Sequence, residues 1–279
     1  MSIKETDLRS LSRNEARVVL DLEWRGEKTV TLADLRKALK ASETYARFMA
    51  HRLVKKGWLE RLRPGIYQLV PADRGLEGVG DSNPFVAAAL EIGPHFYSYG
   101  TACTHHGLTE QVFSDVYVAY RGRPKTLNVR AKRYVLIHLP EGRFFGFEEV
   151  KVLGATAAMA TPERAVLDAL DRPRYAGGIG EVSRIVRKAA RRIAWDRLLE
   201  CLGRWNESAV AQRLGYLLDL HGVVLPGSVK KPFRALVRPG AKVYLGSRSK
   251  WGIAGHLDPA WNIIENVPRD VLLERGSKM

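Results

Sequence analysis

Residues 31–70 read TLADLRKALKASETYARFMAHRLVKKGWLERLRPGIYQLV, and this stretch decides the fold. Thr31 stands where an N-cap belongs, ahead of the helical run 32–39. A turn at Lys40-Ala41 follows, and Ser42 caps a second helix over 43–56 that Gly57 ends. A Ser or Thr oxygen accepts from the free N–H groups of a first turn, and Gly tolerates the left-handed stop. Residues 58–62 and 66–70 then alternate around Arg63-Pro64-Gly65, the pattern of a hairpin. Two helices, a turn and a small basic hairpin, in that order, predict a winged helix-turn-helix.

The second helix sorts its residues by face. Ala46, Met49, Ala50 and Leu53 fall at i, i+3, i+4 and i+7, the spacing of a buried stripe. Thr44, Arg47, Phe48, His51, Arg52 and Lys55 take the opposite face, which is cationic with one aromatic ring. A charged outer face is ordinarily plain solvation. Here it lies on the second helix of a helix-turn-helix and precedes a hairpin bearing Arg61 and Arg63, which favours nucleic acid. Thr44, Tyr45, Arg47, Phe48 and His51 are the expected neighbours of base edges, and the capping Ser42 is counted with them as a DNA-binding residue. Arg52, Lys55, Lys56, Arg61 and Arg63 are the expected phosphate contacts.

The 279 residues carry 45 Lys and Arg against 30 Asp and Glu, a net charge of +15, and so favour a polyanionic partner. Two distant cysteines, Cys103 and Cys201, form no motif and suggest reduced thiols in the cytoplasm. The first seven residues lack the apolar core of a signal peptide, and no window is long and apolar enough to cross a membrane.

Outward from the head, a helix is expected over 12–24, with Ala16, Val19, Leu20 and Glu23 on its packed face. The domains are placed at 1–71 (winged helix), 72–81 (a Gly-rich linker) and 82–279 (a larger mixed α/β domain), giving an α+β fold class. In the larger domain a helix is expected over 84–92, then a short helix over 100–108 and strands at 116–120, 133–139 and within 144–153. Thr161-Pro162 opens a helix through Leu170, and further helices are expected over 179–192, 195–202 and 208–220. Beyond Val223 the pattern reads as loops and short strands, such as 242–245 and 262–265. Residues 223–257 hold one acid-free run with Lys230, Lys231, Arg234, Arg238, Lys242, Arg248 and Lys250, a candidate second basic surface. The plainer reading is edge strands blunted by charge.

Other candidate chemistry is weaker. Asp115 with Glu149-Val150-Lys151 has the residue types of a metal-dependent nuclease site, but Glu149 and Lys151 also alternate as any half-exposed strand does. Cys103, His105 and His106 lack the second ligand pair a zinc site needs, so no metal or cofactor is expected. Gly177-Gly178-Ile179-Gly180 precedes a helix without the Lys-Ser/Thr of a phosphate loop and reads as a turn. Arg164 and Asp168 read as a surface pair, and Trp24, Trp58, Trp195 and Trp205 as core anchors.

Several pieces in order resemble a known family, the AbiEi-type antitoxins and transcriptional regulators of type IV toxin–antitoxin systems. They are Arg63-Pro64-Gly65-Ile66-Tyr67, the block from Phe96-Tyr97-Ser98 through His106-Gly107-Leu108-Thr109, the strand at 116–119, Ala160-Thr161-Pro162-Glu163-Arg164-Ala165-Val166-Leu167-Asp168, and Val210-Ala211-Gln212-Arg213-Leu214-Gly215-Tyr216-Leu217-Leu218. The resemblance implies a repressor that binds inverted repeats in its own promoter, as a monomer or a dimer that pairs on the DNA. It also implies an antitoxin role against a nucleotidyltransferase-like toxin, with no stable complex required. The alternatives are a nuclease-like enzyme with a DNA-binding head, or a regulator with no antitoxin role.

Overall fold

A computed structural model of the chain describes residues 9–26, 29–72, 85, 92–129, 132–152, 155–238 and 240–273. The chain divides into two compact units, one chiefly of residues up to Ile92 and one chiefly of residues from Gly93 onward. The expected linker and the helix over 84–92 lie, but for Ala72, Phe85 and Ile92, outside the described residues.

The first unit runs α1 (Arg13–Trp24), β1 (Thr29–Thr31), α2 (Leu32–Leu39), α3 (Glu43–Lys55), β2 (Leu59–Arg63) and β3 (Ile66–Leu69). Thr31 Oγ1 accepts from the Asp34 N–H at 3.1 Å and Ser42 Oγ from the Tyr45 N–H at 3.3 Å, so both expected caps form. Lys40 supplies the left-handed turn between the helices, with φ of 50°. The strands form an antiparallel sheet in the order β1-β3-β2, with Gly65 at φ of 79° in the hairpin turn. The three-residue β1 carries too short a pattern to be read in advance.

Val18, Val19 and Leu22 of α1 meet Leu35, Ala46, Met49, Ala50, Leu53, Leu59 and Leu69 in one core. The packed face of α1 therefore differs from the expected one. Leu20 is 62% exposed and Trp24 88% exposed, so Trp24 anchors no core. The buried row is Glu15, Val18, Val19 and Leu22, at the same helical spacing. An acidic residue at its head disguised it.

Glu15 is buried for a reason. Its Oε2 accepts from the Ser12 N–H and from Lys56 Nζ, both at 2.7 Å, and Arg52 Nε lies 2.9 Å from Oε1. Burial alone would raise its pKa, but the Lys56 ammonium and the Ser12 N–H outweigh it and hold it at about 2. This carboxylate ties the start of α1 to the end of α3.

The second unit is built on a six-stranded sheet of β4 (His95–Tyr97), β5 (Asp115–Tyr120), β6 (Lys125–Val129), β7 (Lys132–His138), β8 (Phe147–Val152) and β9 (Ala155–Ala160). Its order is β6-β7-β5-β4-β9-β8, with β4 antiparallel to β5 and parallel to β9, and β5 parallel to β7. The helices are α4 (Tyr99–His105), α5 (Pro162–Asp171), α6 (Ile179–Ala189), α7 (Trp195–Trp205), α8 (Ser208–Leu220) and α9 (Gly227–Ala235). A second sheet, ordered β10-β12-β11, joins β10 (Val243–Tyr244), β11 (His256–Asp258) and β12 (Ile263–Glu265); α10 (Arg248–Trp251) and α11 (Arg269–Leu273) complete the unit.

Helix α5 is the hub. Every residue from Glu163 to Leu170 is buried, as befits a helix enclosed on all sides. Arg164 and Asp168, expected at the surface, are both fully buried instead. Arg164 Nε and Nη2 donate to the Asp168 carboxylate at 2.9 and 3.0 Å, and Nη1 donates to the Arg143 and Phe145 carbonyls at 2.8 and 3.0 Å. The Ser98 hydroxyl donates to Asp168 as well. The rings of Phe96, Phe145 and Trp205 enclose the guanidinium at 5.4, 4.8 and 4.5 Å.

The end of the chain is fastened on α8. Gln212 Nε2 donates to the carbonyls of Ala241 and Trp261 at 2.6 and 2.9 Å. Trp261 packs on Gly215 so closely that a Cβ there would lie 2.1 Å from its ring. Its Nε1 donates to Asp219 Oδ2 at 2.6 Å.

Two consequences are measurable by chemical denaturation. Asp168→Ala strands the Arg164 charge and should cost about 3–5 kcal/mol, unfolding the second unit well before the first. Glu15 is depressed from 4.5 to about 2, so its contribution is complete above pH 4.5 and lost as pH falls towards 2. Glu15→Gln should therefore destabilise the first unit at pH 7 by about 3 kcal/mol and flatten its acid limb over that window.

Candidate nucleic-acid interface

The outer face of α3 is what the buried row leaves over. With Ala46, Met49, Ala50 and Leu53 turned inward, Thr44, Tyr45, Arg47, Phe48, His51, Arg52 and Lys55 are all exposed, as is the capping Ser42. Phe48 is 52% exposed and Tyr45 38%, large values for aromatic side chains on a helix with a complete core beneath it. Their rings lie 6.1 Å apart, and the Arg52 guanidinium stands 5.7 Å from the Phe48 ring. The result is a continuous aromatic and cationic strip, suited to thymine methyls and base edges in a major groove.

Three of the expected cations are already engaged. Arg47 Nη2 donates to Glu43 Oε1 at 2.6 Å, one helical turn back, and the guanidinium holds the Glu43 carboxyl below its ordinary range. Both side chains are open to solvent, so this bond is free to exchange for one to a base. Lys56 is different. Its side chain is 15% exposed and committed to Glu15, which makes it a strut of the head. Arg52 shares Glu15 while remaining 43% exposed. Lys55 and Arg61 project freely into solvent from α3 and β2. Arg63 closes β2, and its side chain lies outside the described positions.

The second basic group is less uniform than the sequence suggested. Lys230 and Lys231 are exposed on α9, a helix where loops and strands were expected. Pro232 inside it reads as a break, but Val229 and Phe233, one turn apart, are buried and hold it. Arg234 is folded back over the Trp261 ring at 3.5 Å and donates to the Ala260 carbonyl. Arg238 donates to the Asn206 side chain at 3.0 Å. Lys242, Arg248 and Lys250 are exposed, Arg248 beside Tyr244 and Lys250 beside Trp251. A different cationic row, Arg184, Arg187, Lys188 and Arg191, follows helical spacing along and just past α6.

The remaining candidates are accounted for locally. Asp115 on β5 accepts a two-pronged bond from Arg133, and Glu149 and Lys151 stand on β8. Strands β4 and β9 lie between β5 and β8, a separation of about 14 Å at the usual strand spacing, so these groups do not converge. The Cys103 thiol donates to the Ala165 carbonyl, and burial pushes its pKa up. His106 Nε2 lies 2.7 Å from the Ala160 carbonyl, while His105 is exposed. Among the described residues no three His, Cys, Asp or Glu gather as a metal site. No helix among them is long and apolar enough to cross a membrane.

A winged helix-turn-helix with an exposed second helix is an architecture that DNA-binding proteins use. Residues 17–70 match the family described as transcriptional regulator, AbiEi antitoxin, so the family likeness seen in the sequence is borne out over the head. In fold the chain is similar to the crystal structure of the RV2827C protein from Mycobacterium tuberculosis, at a TM-score of 0.65 and 18% identity over 95% of each chain. That likeness concerns the fold alone. No curated protein matches the chain.

Lys55 and Lys56 are adjacent yet differ in role. Lys56→Met should lower the melting stability of the head by about 2 kcal/mol, because it removes a charged hydrogen bond from a buried carboxylate. Lys55→Met should leave stability within about 0.5 kcal/mol. Calorimetry on both variants checks this.

Proposed function

We propose that the chain is a DNA-binding repressor whose α3 enters the major groove while the β2–β3 hairpin lies against the phosphates. The observation that carries this reading is the exposed strip of Tyr45, Arg47, Phe48 and His51 on the second helix of the motif. Thr44, Arg47 and Phe48 read base edges; Lys55, Arg52 and Arg61 hold phosphates and fix the register. Lys56 acts one step back, by seating α3 against α1 through Glu15.

The match of residues 17–70 to AbiEi-type regulators supports a finer reading. The chain represses its own operon through inverted repeats, with two heads meeting on the DNA. It also counters a nucleotidyltransferase-like toxin without forming a stable complex with it. It acts in the cytoplasm and is not an enzyme; the separation of Asp115 from Glu149 supports the last point.

A mobility shift on the promoter fragment upstream of the gene tests the head. Arg47→Ala should weaken binding by about 1–3 kcal/mol and relax specificity at one base pair. Lys55→Ala and Arg61→Ala should weaken all sequences alike and each lower the salt slope by about 0.9. Unchanged binding in all three variants at fixed salt would sink this reading. Rescue of growth when the chain is co-expressed with the product of an adjacent toxin gene tests the antitoxin role; no rescue leaves a plain regulator.

A further inference from the structure

The second unit contains a cleft of about 700 Å³ that the sequence did not announce. It opens where the turn Pro173–Ala176, the start of α6 and the segment around α10 meet. That volume lies within the range of about 300–1,000 Å³ in which small-molecule sites fall. Four cations line it: Arg172, Arg174, Arg213 and Lys250.

Asp171 is the one carboxylate in the walls, so their formal charge is four positive against one negative. Asp171 is shared, at 3.3 Å from Arg172 and 3.8 Å from Arg143, and its charge also reaches Arg213. Arg213 is the most telling of the four. It is largely buried, and its Nε and Nη1 donate to the carbonyls of Tyr244 and Leu170 at 3.2 and 3.3 Å. Carbonyls take its hydrogen bonds, and burial pushes its pKa below the ordinary value although the Asp171 charge partly offsets that, so the one carboxylate does not fully balance it. A buried cation facing a hollow is stabilised by an anion entering that hollow.

Two further features narrow the class of anion. Gly178 leads into α6 with φ of 89°, a Cβ there would meet nothing within 4 Å, and no side chain caps the helix. The backbone beside the cationic walls is thus open to a ligand. On another wall Trp251 is half-exposed, with the Lys250 ammonium 5.0 Å from its ring. A multiply charged anion that also carries a flat ring fits cations and indole together.

We propose that this cleft binds a nucleoside polyphosphate, its phosphates held by Arg213, Arg174 and Lys250 and its base set against Trp251. The site is separate from α3 and does not depend on the head binding DNA. Phosphate esters also occur in nucleic acid, so the test must separate the two sources.

Titration calorimetry on the full chain, with ATP and GTP as probes at near-physiological salt, supplies the measurement. Saturable binding with Kd below about 100 µM is expected for at least one of them. Arg174→Ala and Lys250→Ala lie at exposed side chains and should each weaken it about tenfold without changing the ligand-free melting curve. Trp251→Leu should erase the preference for nucleotide over inorganic pyrophosphate. Four outcomes would overturn the proposal: no saturation near 1 mM, roughly the top of the useful range; wild-type affinity in both cation variants; equal competition by sulfate at matched ionic strength; or equal competition by a short duplex of arbitrary sequence. None of them touches promoter binding by the head, which the mobility shift reads independently.

Discussion

The second unit is organised around a charge that has nowhere to go. Arg164 sits at zero exposure, and its guanidinium is stable there only because one carboxylate and two carbonyls take its N–H groups while three aromatic rings close around it. Asp168 comes from the same helix, one turn on, but the other partners come from elsewhere in the chain: Arg143 and Phe145 from the segment before β8, Trp205 from α7. Ser98 joins from the end of β4. A buried ion pair of this kind adds little net stability over an apolar substitute, but it penalises every arrangement that leaves one member unpaired. Sheet and helices thereby agree on a single packing.

The first unit repeats the idea on a smaller scale. Glu15, on the inner face of α1, draws in Lys56 and Arg52 from the end of α3. Helix α3 is thus held at two points. Its apolar row rests on the core, and its C-terminal end is pinned electrostatically. A helix expected to read bases benefits from such fixation, because displacement of even an ångström misaligns side chains with base edges.

What could be read from the sequence was whatever had a local cause. The caps Thr31, Ser42 and Thr161, the stop at Gly57 and the turn at Pro64-Gly65 follow from single side chains and their neighbours, and they fixed α2, α3, the start of α5 and the hairpin. The outer face of α3 was legible because its inner face was cleanly apolar. What was not legible depended on partners far along the chain. Arg164 and Asp168 look like any exposed pair until Phe96, Phe145 and Trp205 are placed around them. Trp24 looks like a core residue, but the face of α1 is set by Glu15. The α9 helix survives Pro232 through Val229 and Phe233, and the alanine-rich β9 is a strand because its neighbours are. The cleft beside α6 gathers residues from three separate stretches, which no spacing rule would join.

The clasp on Glu15 bears on how genetic data would read under the proposed repressor function. A screen for lost repression would collect changes along α1, and their positions would invite the conclusion that this helix touches the operator. Yet the Glu15 carboxylate is shielded from solvent and turned towards the protein's own lysine. Alleles there would act at a distance, by letting the end of α3 drift. Their signature would be temperature sensitivity, with the operator preference intact at low temperature.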